Sequence, residues 1–292
     1  MCTLIVIYRR VPGRWLVVAA NRDEYLDRPS EGPALRTGSE IPLLAPMDTR
    51  AGGTWLGLNQ EGVFSALTNL RDPDPDASRT SRGRVVMNAL AARTAEAAAE
   101  SLMGIEAGAH NPFNAFVADR EKAYLVGYRE EPVLYEIEPG VCVVGNLDIR
   151  GPDSAPDPPS KVDRVGAQAE EIARRPAEEV LDGLGELCRS HAQSTRSEGS
   201  SSLEDVCVHV GQAYGTRSSI LLELSDAFFE PGNRNLKRET GGSGNQAGTE
   251  GYQGGSRLFY AAGPPCVEPF EDFSPLLKEL RQSPSYPSAE FS

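Results

Sequence analysis

Histidine is scarce in this chain. Only His110, His191 and His209 occur among 292 residues, and their spacing along the sequence supports no metal site. Cysteine is nearly as sparse, with Cys2, Cys142, Cys188, Cys207 and Cys266. An odd count, wide spacing and the lack of a Cys-x-x-Cys support neither a disulfide framework nor a zinc motif. No Gly-x-Ser-x-Gly occurs, and the Gly-rich stretches lack the strand-to-helix context of a phosphate loop. Basic residues are in deficit: 29 Lys and Arg against 42 Asp and Glu leave a net charge of −13. That argues against duplex nucleic acid as a partner, because binding phosphates takes a basic face. No run approaches the roughly 20 apolar residues of a membrane span. The N-terminus lacks a charged segment followed by a long apolar core, so no secretory signal is expected and the expected location is cytoplasmic.

What is present is a series of short apolar runs. Cys2–Tyr8 and Trp15–Ala20 flank a turn-forming segment and predict a β-hairpin. Similar pairs are Thr54–Leu58 with Val63–Leu67, Phe113–Ala118 with Ala123–Tyr128, and Val133–Ile137 with Val141–Val144. Late strands are expected at Val206–Val210, Ser218–Leu224 and Arg257–Ala261. The short turns leave no room for crossovers, so the sheets should be mostly antiparallel. Arg84–Leu102 and Val162–Ala192 are the expected helices, the second interrupted at Pro176. Helices grouped between hairpins indicate an α+β layered fold. Residues 1–281 are expected to form a single domain, with a flexible insertion at about 233–255 and a disordered tail at 282–292.

Cys2 is the most informative residue. Methionine aminopeptidase removes Met1 when the second residue is small, and the chain would then begin with a thiol and an α-amine on one residue. An amine with a pKa near 8 can take the thiol proton, so a single residue would supply nucleophile and base. The plainer alternative is that Cys2 is a small buried hydrophobe.

The second strand of the first hairpin ends in Asn21-Arg22-Asp23-Glu24. This tetrapeptide, about twenty residues after a Met-Cys start, resembles the signature of the NRDE family. That family includes the transport-and-Golgi-organisation protein 2 homologues. Arg28-Pro29, Gly52-Gly53-Thr54-Trp55-Leu56-Gly57, Ala66-Leu67-Thr68-Asn69, Asn111-Pro112-Phe113-Asn114, Gly145-Asn146 and Tyr214-Gly215-Thr216-Arg217 follow in the family's order. The family is in turn similar to the N-terminal nucleophile (Ntn) hydrolases of the cholylglycine hydrolase and penicillin V acylase branch. The resemblance implies a four-layer αββα sandwich of two mostly antiparallel sheets between helical layers.

It also implies a site of Cys2, Arg22, Asp23, Asn69, Asn146 and Arg217, with Asn21 and Glu24 as an alternative match to the Arg/Asp pair. The implied activity is hydrolysis of a non-peptide linear amide through a Cys2 thioester. Asp23 would hold the ammonium, Arg22 and Arg217 the thiolate, and Asn69 or Asn146 the oxyanion. No cofactor is required for that chemistry. The alternative is a non-catalytic haem or lipid/acyl-CoA trafficking protein or chaperone on the same fold. The ligand is then a small-molecule amide in the first case and haem or a lipid in the second. Each residue also has a bland role. Arg22 and Asp23 could form a structural ion pair, Asn69 and Asn146 could cap loops, and Arg217 could pair with a carboxylate. Trp15 and Trp55 read as core.

Overall fold

The first apolar runs pair as expected. β1 (Thr3–Val11) and β2 (Arg14–Tyr25) lie antiparallel, with Val11 opposite Arg14. The intervening Gly13 takes φ 73°, a left-handed conformation that suits glycine in a tight turn. The computed structural model describes residues 2–36, 40–147, 159–191, 203–228 and 255–284. The expected insertion at 233–255 and the tail at 282–292 fall almost wholly outside these residues.

The chain next builds a second sheet. β3 (Ser30–Arg36), β4 (Leu43–Asp48), β5 (Leu56–Asn59) and β6 (Phe64–Asn69) are laid side by side. After α1 (Gly83–Ala89) and α2 (Ala95–Met103), β7 (Phe113–Ala118), β8 (Ala123–Tyr128) and β9 (Pro132–Glu136) complete it. β10 (Gly140–Val144) returns to the first sheet. The helices α3 (Lys161–Ile172) and α4 (Ala177–Arg189) precede β11 (His209–Val210), β12 (Tyr214–Ser225), β13 (Arg257–Ala261), β14 (Glu271–Asp272) and α5 (Ser274–Gln282). The first sheet runs β10-β1-β2-β12-β13-β14, with β11 also paired to β12, and every pairing in both sheets is antiparallel.

Side-chain alternation explains why the strands are apolar almost throughout. In β1, Leu4, Val6 and Tyr8 pack between the sheets against Leu58, Phe64 and Phe116. Ile5 and Ile7 point the other way, onto α3 and α4 residues such as Val165, Ile172 and Leu184. The outer face of the second sheet is covered by Val85, Val86, Ala98 and Leu102 of α1 and α2. The architecture is therefore an α+β, four-layer αββα sandwich, as expected. Among the described residues no helix is long and apolar enough to cross a membrane.

Several local expectations were wrong. Val133–Ile137 and Val141–Val144 do not form a hairpin. β9 pairs with β8, whereas β10 pairs with β1, matching Val143 to Ile5. Glu138-Pro139 is a crossing between sheets, because β1 has an open edge that β10 fills. The helix expected at Arg84–Leu102 is two helices; Thr94 accepts a hydrogen bond from the Ala97 N–H and starts the second. The strand expected at Val206–Val210 shrinks to His209–Val210. β3, β4, β14 and α5 were not anticipated.

Candidate functional site

The site forms where the two sheets meet at the end of β2. Thr3 pairs with Asn21, so Cys2 comes level with Arg22. On the other side of β2, Ser218 faces Arg22 and Thr216 faces Asp23. The intervening Arg217 is left in a bulge. The NRDE tetrapeptide thus occupies the centre of the first sheet, between the first strand and a late one. A cavity of about 130 Å³ opens there, lined by Cys2, Arg22, Asp23 and Glu24 from this sheet and by Trp55 and Asn69 from the other. This is well below the roughly 300–1,000 Å³ of a drug-sized pocket. It suits the reacting group of a ligand whose remainder lies outside.

Cys2 is half-buried. Burial pushes its thiol pKa above the ordinary value, and the Asp23 carboxylate adds to this. A hydrogen bond from the Asp23 backbone N–H and the Arg22 charge oppose it without prevailing. The expected lowering of the thiol pKa by arginines is therefore overridden by desolvation. Burial thus favours the thiol over the thiolate, which makes a base beside the sulfur necessary for attack.

Asp23 is 4% exposed. The Thr216 hydroxyl donates to its Oδ1 at 2.7 Å, and Lys161 Nζ lies 3.9 Å from its Oδ2. Lys161 begins α3, whose capping box of Ser160 and Asp163 fixes where the helix starts. Burial raises the Asp23 pKa from 3.8 to about 6, against the pull of Lys161 and Thr216. The folded state therefore favours the protonated carboxyl. Its contribution to stability is full below pH 3.8 and is lost as pH rises to about 6. At about 1.4 kcal/mol per unit the loss is about 3 kcal/mol. Relative to Asp23→Asn, wild type should lose about that much across this window in urea unfolding at several pH values. Parallel stability curves would contradict the assignment.

Arg22 reaches from the first sheet to the second. Its guanidinium sits 4.5 Å over the Trp55 ring, and Nη2 donates to Asp48 Oδ2 at 3.2 Å. Arg28 Nε donates to the same oxygen at 2.6 Å, while Asp48 Oδ1 accepts from the Arg50 and Ala51 N–H groups at 3.0 Å. Burial alone would raise the Asp48 pKa, but the bonds from Arg28 and Ala51 win and lower it. Trp55 is thus a platform for Arg22 rather than simple core, whereas Trp15 is buried core. Glu24 lines the cavity with its Oε2 3.9 Å from Arg28 Nε.

The other expected residues divide. Asn69 lines the cavity. Asn146 acts behind it: its side-chain amide donates to the Asn69 carbonyl, and its own carbonyl accepts from the Arg71 N–H at 2.9 Å. Thr68 and Asn114 hold the same turn, the hydroxyl donating to the Gly145 carbonyl at 2.6 Å and the amide to the Leu147 carbonyl at 3.0 Å. Asn21 faces away from the cavity and donates to the Cys188 and Val206 carbonyls, both at 2.9 Å. Arg217 is not among the cavity-lining residues. Its Nη1 donates to the Ala262 carbonyl at 3.1 Å, where the sequence suggested a carboxylate partner.

Sequence reasoning missed Arg82, Asp48, Lys161 and Thr216. Arg82 lines the cavity with its Nη1 on the Pro112 carbonyl at 3.1 Å. Burial lowers its pKa, with Cys2 and Glu24 opposing, so its charge lies within electrostatic reach of the sulfur. Arg82 reaches this position because Gly53 and Gly83 meet backbone to backbone; a Cβ on Gly53 would lie 2.6 Å from the Gly83 carbonyl carbon. The Gly52-Gly53 pair marked this contact in the sequence, but nothing local marked Arg82 itself.

A family model described as "Transport and Golgi organisation 2" matches residues 1–227. The mouse Transport and Golgi organization 2 homolog is 32% identical over 145 residues, which are 47% of this chain and 52% of that protein. The human homolog gives the same figures. The chain spans about half the length of these curated relatives. The crystal structure of the C2A mutant of conjugated bile acid hydrolase from Clostridium perfringens superposes with TM-score 0.52 at 10% identity, over 94% of this chain and 93% of that one. Penicillin V acylase from Agrobacterium tumefaciens gives TM-score 0.45 at 14% identity, over 91% and 93%. The first superposition shows a shared Ntn-hydrolase fold.

Proposed function

Because the chain belongs to the Transport and Golgi organisation 2 family and carries an Ntn-hydrolase fold, we propose that it hydrolyses a non-peptide linear amide with Cys2 as nucleophile. The observation that carries this reading is the convergence at Cys2. A thiol under the Asp23 N–H shares one small cavity with Arg22, Asp23, Asn69 and Arg82.

In this reading Met1 is removed and the Cys2 α-amine becomes the base. The amine takes the thiol proton, and the sulfur attacks the amide carbonyl. Asn69 donates to the oxyanion, while Arg22 and Arg82 favour the developing negative charge. Asp23, beside Lys161, holds the ammonium form in place. The ammonium protonates the leaving amine as the C–N bond breaks, leaving a thioester on Cys2. Water, deprotonated by the same amine, attacks the thioester and releases the acid. Asn146 is a positioning residue that acts through Asn69, and Arg217 positions the bulge rather than the sulfur. No cofactor is needed. The cavity admits only the scissile group, which favours a substrate with an extended acyl or amine portion.

The alternative, a non-catalytic haem or lipid/acyl-CoA carrier, has a different observation behind it. A larger, mostly apolar groove of about 440 Å³ lies away from Cys2, lined by Pro33, Leu35, Phe273 and Leu276. Turnover of a panel of N-acylated small amines, followed by amine release, separates the two. Under the hydrolase reading Asn69→Ala should lower kcat by about 100- to 1000-fold with little change in melting temperature. No turnover of any panel member, together with lipid or haem binding that survives Cys2 replacement, would favour the carrier.

A further inference from the structure

Four side chains outside the cavity converge on a point: His191, Cys207, His209 and Cys266. Each offers one ligand atom, and all of these atoms lie within 4.8 Å of one another. The two sulfurs are 3.4 Å apart, and His209 Nε2 is 3.6 Å from Cys207 Sγ and 3.1 Å from Cys266 Sγ. The His191 and His209 rings lie 5.4 Å apart, centroid to centroid. We propose that these residues form a structural zinc site of the Cys₂His₂ type.

The geometry fits one tetrahedral ion. With Zn–S about 2.3 Å and Zn–N about 2.0–2.1 Å, tetrahedral ligands are separated by about 3.8 Å for two sulfurs and about 3.6 Å for sulfur and nitrogen. The separations among Cys207, Cys266 and His209 differ from these values by at most about half an ångström, and the exposed His191, whose ligand atom lies within 4.8 Å of the other three, would close on the ion by turning its side chain. A mixed imidazole and thiolate set also selects zinc over magnesium or calcium, which prefer oxygen. Four protein ligands leave no open position, which marks a structural site rather than a catalytic one. The sequence hid the site because the ligands come from three separate stretches: the end of α4, the approach to β11 and the turn after β13. The proposal departs from the expectation of no metal site, which rested on residue spacing along the sequence.

The backbone already ties those stretches together. The Cys207 N–H donates to the Ser190 carbonyl at 3.0 Å, and Arg189 Nε donates to the Pro265 carbonyl at 3.2 Å. The first bond joins the ligand Cys207 to the residue before His191, and the second joins a residue two before His191 to the residue before Cys266. Asn21 adds a further tie by donating to the Cys188 and Val206 carbonyls. Thr216 joins this region to the cavity: its hydroxyl accepts from the Val208 N–H at 2.8 Å and donates to Asp23. Gly215 permits the close approach, since a Cβ there would lie 2.6 Å from the Val208 carbonyl oxygen. An ion bound here would clamp the segment against which Asp23 is set. The Asn and Asp of the tetrapeptide each touch that segment, one directly and the other through Thr216.

The test uses the full chain, purified under reducing conditions, stripped with a chelator and then titrated with zinc against a chromophoric competitor. Wild type and Cys2→Ser should each bind one zinc per chain, and cobalt in its place should give the visible bands of a tetrahedral thiolate complex. Cys266→Ser, at an exposed position that should not disturb folding, should weaken binding by about 100-fold or more, at or beyond the upper end of what outer-shell changes produce. His209→Ala should do the same. The proposal is overturned if wild type binds no zinc, if it binds ferrous iron more tightly than zinc, against the usual order of affinities, or if Cys266→Ser binds as tightly as wild type. A Cys207–Cys266 disulfide in the freshly isolated chain, seen by peptide mass, would also overturn it. None of these outcomes depends on amide turnover, so a failure here is distinct from a failure of the hydrolase reading.

Discussion

Cys2→Ser and Cys2→Ala are expected to remove amide turnover to background, a loss of order 10⁶-fold when a covalent nucleophile is deleted. Both replacements are small, so Met1 removal should proceed as before. Cys2 lies at the cavity edge and contributes to none of the three hydrophobic clusters. The stability change should therefore stay within about 1 kcal/mol. The pairing of full activity loss with an unchanged urea midpoint is the informative result. If Cys2→Ala retains more than about a hundredth of wild-type activity, the sulfur is not the nucleophile, because residual catalysis from oxyanion donors and binding alone is far smaller.

The second large effect concerns stability and lies at the other end of β12. Glu223 is fully buried, yet it is ionically paired with two arginines. Arg14 Nε lies 2.8 Å from its Oε1, and Arg257 donates through Nε and Nη2 at 3.2 Å each. Arg14 is itself buried at the start of β2, so the carboxylate neutralises charge where three adjacent strands meet. Removing one partner of a buried ion pair leaves the other charge uncompensated, which typically costs about 3–5 kcal/mol. Glu223→Ala should show that loss in urea unfolding. A double change of Glu223 and Arg14 to apolar residues should recover part of it, because no orphaned charge then remains at that pair. A loss below about 1 kcal/mol in the single variant would mean that water reaches the arginines when the carboxylate is gone.

The parts of this architecture that were legible in the sequence are those set by local chemistry. The β1–β2 hairpin follows from two apolar runs and a Gly13 turn, and its register carries Cys2 back to Arg22 without further information. Asn69 and the tetrapeptide could be named because they fall in ordered motifs on strand ends. The failures are long-range. Val141–Val144 looks like the partner of the preceding strand, but the open edge of β1 captures it. The adjacency of Arg22 and Asp23 gave no hint that one crosses to Asp48 and Trp55 while the other turns to Thr216 and Lys161. Strand alternation is the physical reason, since successive side chains leave on opposite faces. Arg217 looked like a site arginine by motif, but the bulge leaves it bonded to the Ala262 carbonyl. Arg82 lines the cavity, from a segment with no motif of its own. The Cys₂His₂ cluster was invisible for the same reason: ligand spacing in sequence reports only sites built on one hairpin or one helix.

Hydrolysis by this route requires a thioester at Cys2 of a chain that has lost Met1. Intact-mass spectrometry of native protein, acid-quenched during turnover of a reactive N-acyl substrate, tests it most directly. The expected spectrum shows the chain without Met1, plus a fraction heavier by one acyl group, with the adduct mapping to Cys2 and released by hydroxylamine. A chain that keeps Met1, or that turns over substrate while the acyl group appears on another residue, would contradict the mechanism.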